Sequence, residues 1–165
     1  MLSFLDPLRE ITTVAVLVRL LFAMLCGGAI GIEREHKRRT AGFRTHILIC
    51  LGAAMTTMVS QFLFREMHLY TDIGRLGAQV IAGIGFIGAG TIIVTKRRQV
   101  KGLTTAAGLW TCAIIGLAVG AGYYEAAVLA TIIILLAEIF FSRFEYWVLD
   151  NARNINIYVE YSGTD

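Results

Sequence analysis

The chain has 165 residues, of which 56% are hydrophobic and only 16% are charged, and its formal net charge is +3. Soluble domains carry about 25% charged residues, so this composition argues against a soluble enzyme and favours an integral membrane protein. A helix that crosses a bilayer needs roughly 20 apolar residues, and the chain is long enough for about five such helices and little else.

Five apolar stretches predict transmembrane helices. In chain order they are Ile11–Gly31, Thr45–Phe64, Leu76–Thr95 (with Ile73 as an alternative start), Leu103–Ala121 and Tyr123–Ser142. Met1–Glu10 lacks the basic start of a signal peptide, so the first stretch is interpreted as a retained helix. The predicted fold is therefore all-α: a membrane domain of about five transmembrane helices over residues 1–150.

Lysine and arginine are concentrated in two of the predicted loops. The first loop, Ile32–Arg44, holds five of them, and the third, Lys96–Gly102, holds four. The second loop, Arg65–Arg75, holds two, and the connection around Gly122–Tyr124 holds none. Because basic loops stay in the cytoplasm, this distribution predicts an external N-terminus and a cytoplasmic C-terminus. The expected location is a bacterial inner membrane.

The C-terminal tail, residues 151–165, differs from the rest of the chain. From Asn154 onward, polar and apolar residues alternate, which is the period of a β-strand. A lone strand is not stable, so the tail either begins a cytoplasmic domain that is truncated here or pairs with a partner chain. We favour truncation.

Glycines in the apolar stretches predict close helix packing, because small residues let helix backbones approach each other in lipid. The segment Gly83–Gly88 also matches the dinucleotide-binding pattern GxGxxG, but it lies inside an apolar span and not between a strand and a helix, so we reject that interpretation. The third span is predicted to be the central helix, or else a helix broken around Gly83–Gly90 that lines an ion or substrate site. The predicted packing residues, with Trp110 as an anchor, are Gly27, Gly31, Gly83, Gly85, Gly88, Gly90, Gly116, Gly120 and Trp110.

Charges near the outer membrane surface predict a polar cluster. Arg19 lies within the first span, where an arginine must face a partner or a polar cavity. Asp72, Arg75 and Gln79 have the spacing of one helical face at the outer start of the third span, at a depth comparable to that of Arg19. The cluster is either a structural Arg–Asp clamp or a functional site.

A second polar cluster is predicted at the cytoplasmic surface. Thr45 and Thr104 or Thr105 are natural N-caps of the second and fourth helices. Glu33 or Glu35 can accept hydrogen bonds at a helix N-terminus, where the helix dipole is positive. The predicted members are Glu33, Arg34, Glu35, Arg44, Thr104 and Thr105.

No residue pattern predicts catalysis. The histidines, His36, His46 and His68, are dispersed, and no metal-binding, nucleotide-binding or nucleophile motif is recognisable. We therefore predict no enzymatic activity, no catalytic residue, no metal, no cofactor and no nucleic-acid partner. The three cysteines have no metal or disulfide spacing and are predicted to be small packing residues.

Five motifs in order resemble the MgtC/SapB (YhiD-like) family of bacterial membrane proteins over roughly residues 10–145. They are Gly28-Ala-Ile-Gly31-Ile-Glu33-Arg34-Glu35, Ala41-Gly-Phe-Arg44-Thr45, Asp72-x-x-Arg75-x-x-x-Gln79, Gly83-Ile-Gly-Phe-Ile-Gly-Ala-Gly90 and Gly102-Leu-Thr-Thr-Ala-Ala-Gly-Leu-Trp110. Two positions depart from the pattern: Phe43 replaces a frequent leucine, and Ile73 replaces a proline.

The resemblance implies a five-span domain with an external N-terminus and, in many members, a small cytoplasmic ACT-like domain. It implies links to growth at low magnesium, acid stress and virulence-associated survival inside host cells. It also implies a regulatory role on membrane ATPases, notably the proton-translocating ATP synthase. The acidic positions of the family fall on Glu33, Glu35 and Asp72, and the basic ones on Arg44 and Arg75.

The leading hypothesis is a non-enzymatic membrane regulator that contacts the lipid bilayer and other membrane proteins, such as the ATP synthase or a P-type ATPase. Glycine faces left free after folding would serve as its docking surface, and homo-oligomers are expected through the same faces. The rival hypothesis is a transporter or channel for Mg²⁺ or H⁺. The rival requires a continuous polar path between the outer and cytoplasmic clusters.

Overall fold

Five apolar helices dominate the computed structural model, which describes residues 3–68, 72–96, 99–141 and 144. The elements are a 3₁₀-helix Ser3–Arg9, α1 Thr13–His36, α2 Phe43–Arg65, α3 Ile73–Thr91, β1 Ile93–Val94, β2 Val100–Lys101, α4 Leu103–Gly120 and α5 Tyr124–Leu136. A π-helical turn, Ala137–Phe141, continues α5. The first four helices and the stretch Tyr124–Phe141 are each long and apolar enough to cross a membrane, which confirms the prediction of five apolar helices of spanning length.

The chain divides into two units, residues 1–135 and residues 136–165. In the second unit the structure describes the last residue of α5, the π-helical turn and Phe144. The tail from Asn154 onward, predicted as a strand, lies outside the described residues.

Two of the first four helices begin with a side-chain cap. The side chain of Thr12 accepts a hydrogen bond from the Ala15 N–H at the start of α1, and that of Asp72 accepts one from Gly74 at the start of α3. The N-caps of α2 and α4 are Gly42 and Gly102, which have no side chain to contribute. The prediction that threonines cap these two helices is therefore wrong: both helices begin before Thr45, Thr104 and Thr105.

Gly102 needs its glycine because it adopts φ +98°, a left-handed backbone conformation that L side chains rarely take. A Cβ at this position would also overlap the backbone oxygen of Thr91. The turn therefore brings the end of α3 against the start of α4 at the basic-loop end of the bundle.

The helix α3 ends four residues earlier than predicted. We expected it to reach Thr95, but it stops at Thr91, and the following residues form a two-stranded antiparallel hairpin. Ile93 pairs with Lys101 and Val94 with Val100. The β-branched run from Thr91 to Thr95 explains this difference, since such side chains favour strands over helices.

The central helices are α2 and α4, each of which contacts α1, α3 and the other. Two GxxxG pairs make these contacts close. A Cβ at Gly27 would lie 2.7 Å from the His46 oxygen of α2, and one at Gly31 would lie 2.7 Å from the Cα of Phe43. A Cβ at Gly116 would overlap the oxygen of Cys50. These glycine pairs allow the helices to pack closely because glycine has no side chain.

Two packing predictions for the third and fourth spans are wrong. The helix α3 is an unbroken peripheral helix whose only buried residues are Ile84 and Gly88. A Cβ at Gly83, Gly85 or Gly90 would meet nothing within 4 Å, whereas one at Gly88 would touch Ala106. Trp110 is 43% exposed on α4 and is therefore not a packing anchor.

Small side chains fill the core between α1, α2, α4 and α5. Cys50, Ala54, Cys112 and Val119 are fully buried there, with Cys26 almost so. All three cysteines are unpaired and buried, as predicted for packing residues. The short side chains allow the helices to approach closely in lipid, where packing contacts drive helix association.

Candidate functional site

Arg19 lies at the end of the bundle opposite the basic loops and is 1% exposed. Its Nη1 donates to the side-chain oxygen of Gln61 and to the backbone oxygen of Gly120, both at 2.8 Å. Its Nη2 donates to the backbone oxygen of Leu8 at 3.1 Å. A buried arginine is tolerated when its donors are satisfied, and here one guanidinium joins the N-terminal segment, α1, α2 and the end of α4.

A second arginine adjoins this site. Arg9 donates to Glu125 Oε1 at 2.7 Å and to the Gly122 oxygen at 2.8 Å. The hydroxyl of Tyr124 donates to Leu8 at 2.9 Å. Gly122 has φ +79°, and a Cβ there would lie 3.3 Å from Arg19 Nη2, so this turn needs glycine.

The structure brings Arg19 together with Gln61 rather than with Asp72, Arg75 and Gln79. Those three residues share one face of α3, as their spacing predicts, but that face is exposed. The described hydrogen bonds of Arg19 go to Leu8, Glu10, Gln61 and Gly120 only. The functional role of the predicted outer cluster stays a prediction.

Sequence reasoning missed the partners of the two arginines. Gln61 lies next to Ser60 near the apolar end of α2, and Glu125 lies at the start of α5. Both residues could have been recognised as candidate partners in the sequence, since polar side chains within apolar spans usually pair with one another or with backbone groups.

Arg34 anchors a cluster at the basic-loop end and is 1% exposed. Its Nε lies 2.6 Å from Glu33 Oε2, and Lys37 Nζ lies 3.3 Å from Glu33 Oε1. Glu33 and Arg34 lie in the last turn of α1, and Lys37 is its C-cap residue. Cations at a helix C-terminus also interact favourably with the helix dipole.

Glu35 connects the end of α1 to the start of α2. Its Oε2 accepts a hydrogen bond from the Phe43 N–H at 3.0 Å. Since the N-cap residue Gly42 has no side chain, Glu35 supplies the missing acceptor from another helix, as the sequence suggested for Glu33 or Glu35. His46, fully buried one turn further on, is 2.9 Å from the Gly42 oxygen through Nδ1, which therefore donates.

The remaining predicted residues at this end are not joined to one network. Thr105 is buried at the start of α4, whereas Thr104 and Arg44 are exposed. An open groove of about 780 Å³ lies beside Arg44, between the end of α1 and the start of α2. Its lining residues are Ile32, Glu35, His36, Gly42, Phe43, Arg44 and Thr45.

No cluster of metal-binding side chains is found among the described residues. Across residues 3–68, 72–96 and 99–141, no three histidine, cysteine, aspartate or glutamate side chains lie together as metal ligands would. Several polar groups instead hydrogen bond to backbone oxygens or pair with one another, as Arg19, Arg9 and Glu33 do.

Apolar helices long enough to span a bilayer, with buried arginines held at both ends, define a multi-pass α-helical membrane protein. The model of the MgtC family matches residues 20–147, and the chain belongs to this family.

Three relatives show the extent of the similarity. The chain is 36% identical over 149 residues to the "Putative magnesium transporter YhiD" of Escherichia coli K12, covering 88% of this chain and 69% of that protein. It is 45% identical over 124 residues to the protein MgtC of Salmonella typhimurium, covering 74% of this chain and 51% of that protein. An uncharacterized Haemophilus influenzae protein is 42% identical over 135 residues, with 79% and 57% covered. No solved structure matches the chain.

Proposed function

We propose that this chain is a non-enzymatic regulator in the bacterial inner membrane that acts through helix–helix contact on a membrane ATPase. It would thereby adjust ion homeostasis under low magnesium or acid stress. Family membership supports this proposal, because the relatives are proteins named MgtC and YhiD. The proposed orientation places the N-terminus outside and the loops rich in lysine and arginine in the cytoplasm.

The observation that carries the proposal is the apolar interior between the two polar ends. Cys50, Ala53, Ala54, Cys112 and Ala113 are at most 2% exposed and fill the middle of the bundle. An ion path needs polar side chains or backbone groups along its length. This interior favours a protein that works through its surface over one that conducts through its centre.

Two buried hydroxyls of the described residues donate to backbone oxygens, one near a helix start and one within a helix. Ser60 donates to the Ile73 oxygen at 2.7 Å, close to the start of α3. Thr131 donates to the Ala127 oxygen within α5, also at 2.7 Å. Each hydroxyl proton is therefore taken up by a backbone oxygen of the helix bundle.

The experiment that tests the proposal is purification of the full chain from native bacterial membranes after mild crosslinking. We expect a membrane ATPase, either the ATP synthase or a P-type ATPase, to accompany it reproducibly. The same purification from membranes that lack the chain is the control, and it should yield no ATPase.

The result against the proposal is equally concrete. A chain that repeatedly emerges without any ATPase subunit, at low magnesium and at acid pH, would exclude regulation by direct contact. Mass spectrometry of the crosslinked material decides between the two outcomes.

The alternative function is transport of a cation, which the name of the YhiD relative supports. Asp72 and Gln79 offer exposed oxygen ligands on one face of α3, and Mg²⁺ favours oxygen ligands. Purified protein in liposomes would then conduct Mg²⁺ or H⁺, and Asp72→Ala would abolish the flux. Under the regulatory proposal, neither protein gives flux above that of empty liposomes.

A further inference from the structure

The face of α3 that folding leaves uncovered carries one continuous stripe of exposed residues. At 3.6 residues per turn, its six positions fall within an arc of roughly 80°, on the side opposite Ile84 and Gly88. We define the α3 stripe as Asp72, Arg75, Gln79, Gly83, Phe86 and Gly90.

The N-terminal half of the α3 stripe is polar and has few partners. The described residues provide no hydrogen bond to the Arg75 guanidinium or the Gln79 amide, and the Asp72 carboxylate accepts only from the Gly74 N–H of its own helix, at 2.9 Å. Gln79 lies roughly 10 Å along the axis from Asp72, well inside the span. Lipid tails offer an amide no hydrogen bonds, so a protein surface is the better neighbour for this side chain.

The C-terminal half of the stripe has the shape of a helix contact. Gly83 and Gly90 leave open space around the backbone, and Phe86, which is 85% exposed, projects between them. A facing helix can approach closely at the two glycines. An aromatic ring from that helix can then occupy the space that the glycines leave.

The charges on the stripe fit a second copy of the same chain. All copies cross the membrane in one orientation, so two α3 helices related by a two-fold axis along the membrane normal run parallel. Asp72 and Arg75 are about 4.5 Å apart along the axis, so that each arginine can reach the aspartate of the other copy. Gln79 can both donate to and accept from its equivalent, which makes the surface self-complementary, as a two-fold interface requires.

We propose that two copies of the chain associate in the membrane through parallel α3 stripes, with reciprocal Asp72–Arg75 ion pairs between them. The proposal rests on the proposed function in treating α3 as a contact helix, and it identifies the occupant of that helix as a second copy. An ATPase partner would then bind the dimer at another surface.

Disulfide crosslinking in native membrane vesicles tests the contact directly. Gly83→Cys in the full chain should give a covalent dimer on mild oxidation, because Gly83 lies at the closest approach. Gly52→Cys is the matched control, since Gly52 is an exposed helix glycine with equally open surroundings on α2. The native cysteines are buried, so the unsubstituted chain should stay monomeric on the gel.

Charge exchange tests the ion pairs. In the Gly83→Cys chain, Asp72→Arg or Arg75→Asp alone should lower the dimer yield roughly three- to tenfold, as expected for the loss of two partly solvated ion pairs. The double exchange should restore the yield. A loss due only to the missing helix cap of Asp72 would persist in the double variant, which separates the two explanations.

Equal yields from Gly83→Cys and Gly52→Cys, or no restoration in the double variant, would overturn the dimer proposal. The proposed function fails separately: a dimer that never brings an ATPase through purification contradicts the regulator and leaves the dimer intact. An ATPase that accompanies a chain without a Gly83→Cys crosslink does the reverse.

Discussion

The helices α3 and α4 both contain several glycines. Two of those of α4 contact another helix closely, whereas three of those of α3 face open space. On α4, a Cβ at Gly116 or Gly120 would overlap backbone oxygens of α2. On α3, a Cβ at Gly83 or Gly90 would meet open space. The difference teaches that glycine marks a face where a helix could be approached closely, whereas the neighbouring helices decide whether the fold itself fills that face.

Leucine at Gly116 and at Gly83 should give the largest difference in stability. Gly116→Leu forces α4 away from the Cys50 backbone and should lower the free energy of unfolding by about 3 kcal/mol or more, through overpacking. Gly83→Leu should change it by less than about 1 kcal/mol, since the side chain enters open space. Unfolding of dilute protein in detergent measures both values, and equal losses would contradict the assignment of α3 to the periphery.

Arg19 and Arg75 provide a second comparison, between a buried arginine and an exposed one. Arg19→Met removes a guanidinium that satisfies Leu8, Gln61 and Gly120, and should cost about 2–3 kcal/mol because those groups become unsatisfied in the interior. Arg75→Met, on the exposed face of α3, should change the unfolding free energy of the monomer by less than about 0.5 kcal/mol. The same detergent assay compares them, and similar costs would show that Arg19 is not held as the structure describes.

The smallest expected effect concerns the start of α2, which depends on a carboxylate of α1. Glu35→Ala leaves the first turn of α2 without the acceptor that α1 supplies, and should cost about 1 kcal/mol. Glu35→Gln keeps a side-chain oxygen and should cost less. Hydrogen exchange at the Phe43 amide is the measurement. Unchanged exchange in Glu35→Ala would indicate that Glu35 does not cap α2.

Most of what could be predicted from the sequence followed from the length of the apolar stretches, the helical period and the small size of glycine. Five apolar stretches matched five helices, and the pairs Gly27/Gly31 and Gly116/Gly120 lie where helices approach each other. The spacing of Asp72, Arg75 and Gln79 correctly placed them on one face. Each of these follows from local chain geometry, because a helix fixes which residues share a side.

The wrong predictions concern residues for which the helix packed against a given face had to be identified. Gly85 was expected to pack and is open, and Trp110 was expected to anchor and is 43% exposed. In water, an apolar face must turn inward, but lipid tails accept the same side chains as a protein core does. Hydropathy therefore could not tell the inner face of α3 from its outer one.

The sequence by itself determined the number of spans, the residues that share each helical face and the glycines at which backbones can meet. Only the tertiary structure decided that α2 and α4 are central, that Arg19 binds Gln61 and the end of α4, and that the polar face of α3 stays uncovered. The physical reason is that helical period is a property of the local chain. The partner of a face depends on how whole helices pack, and in a bilayer no penalty on exposed apolar surface reveals that arrangement in advance.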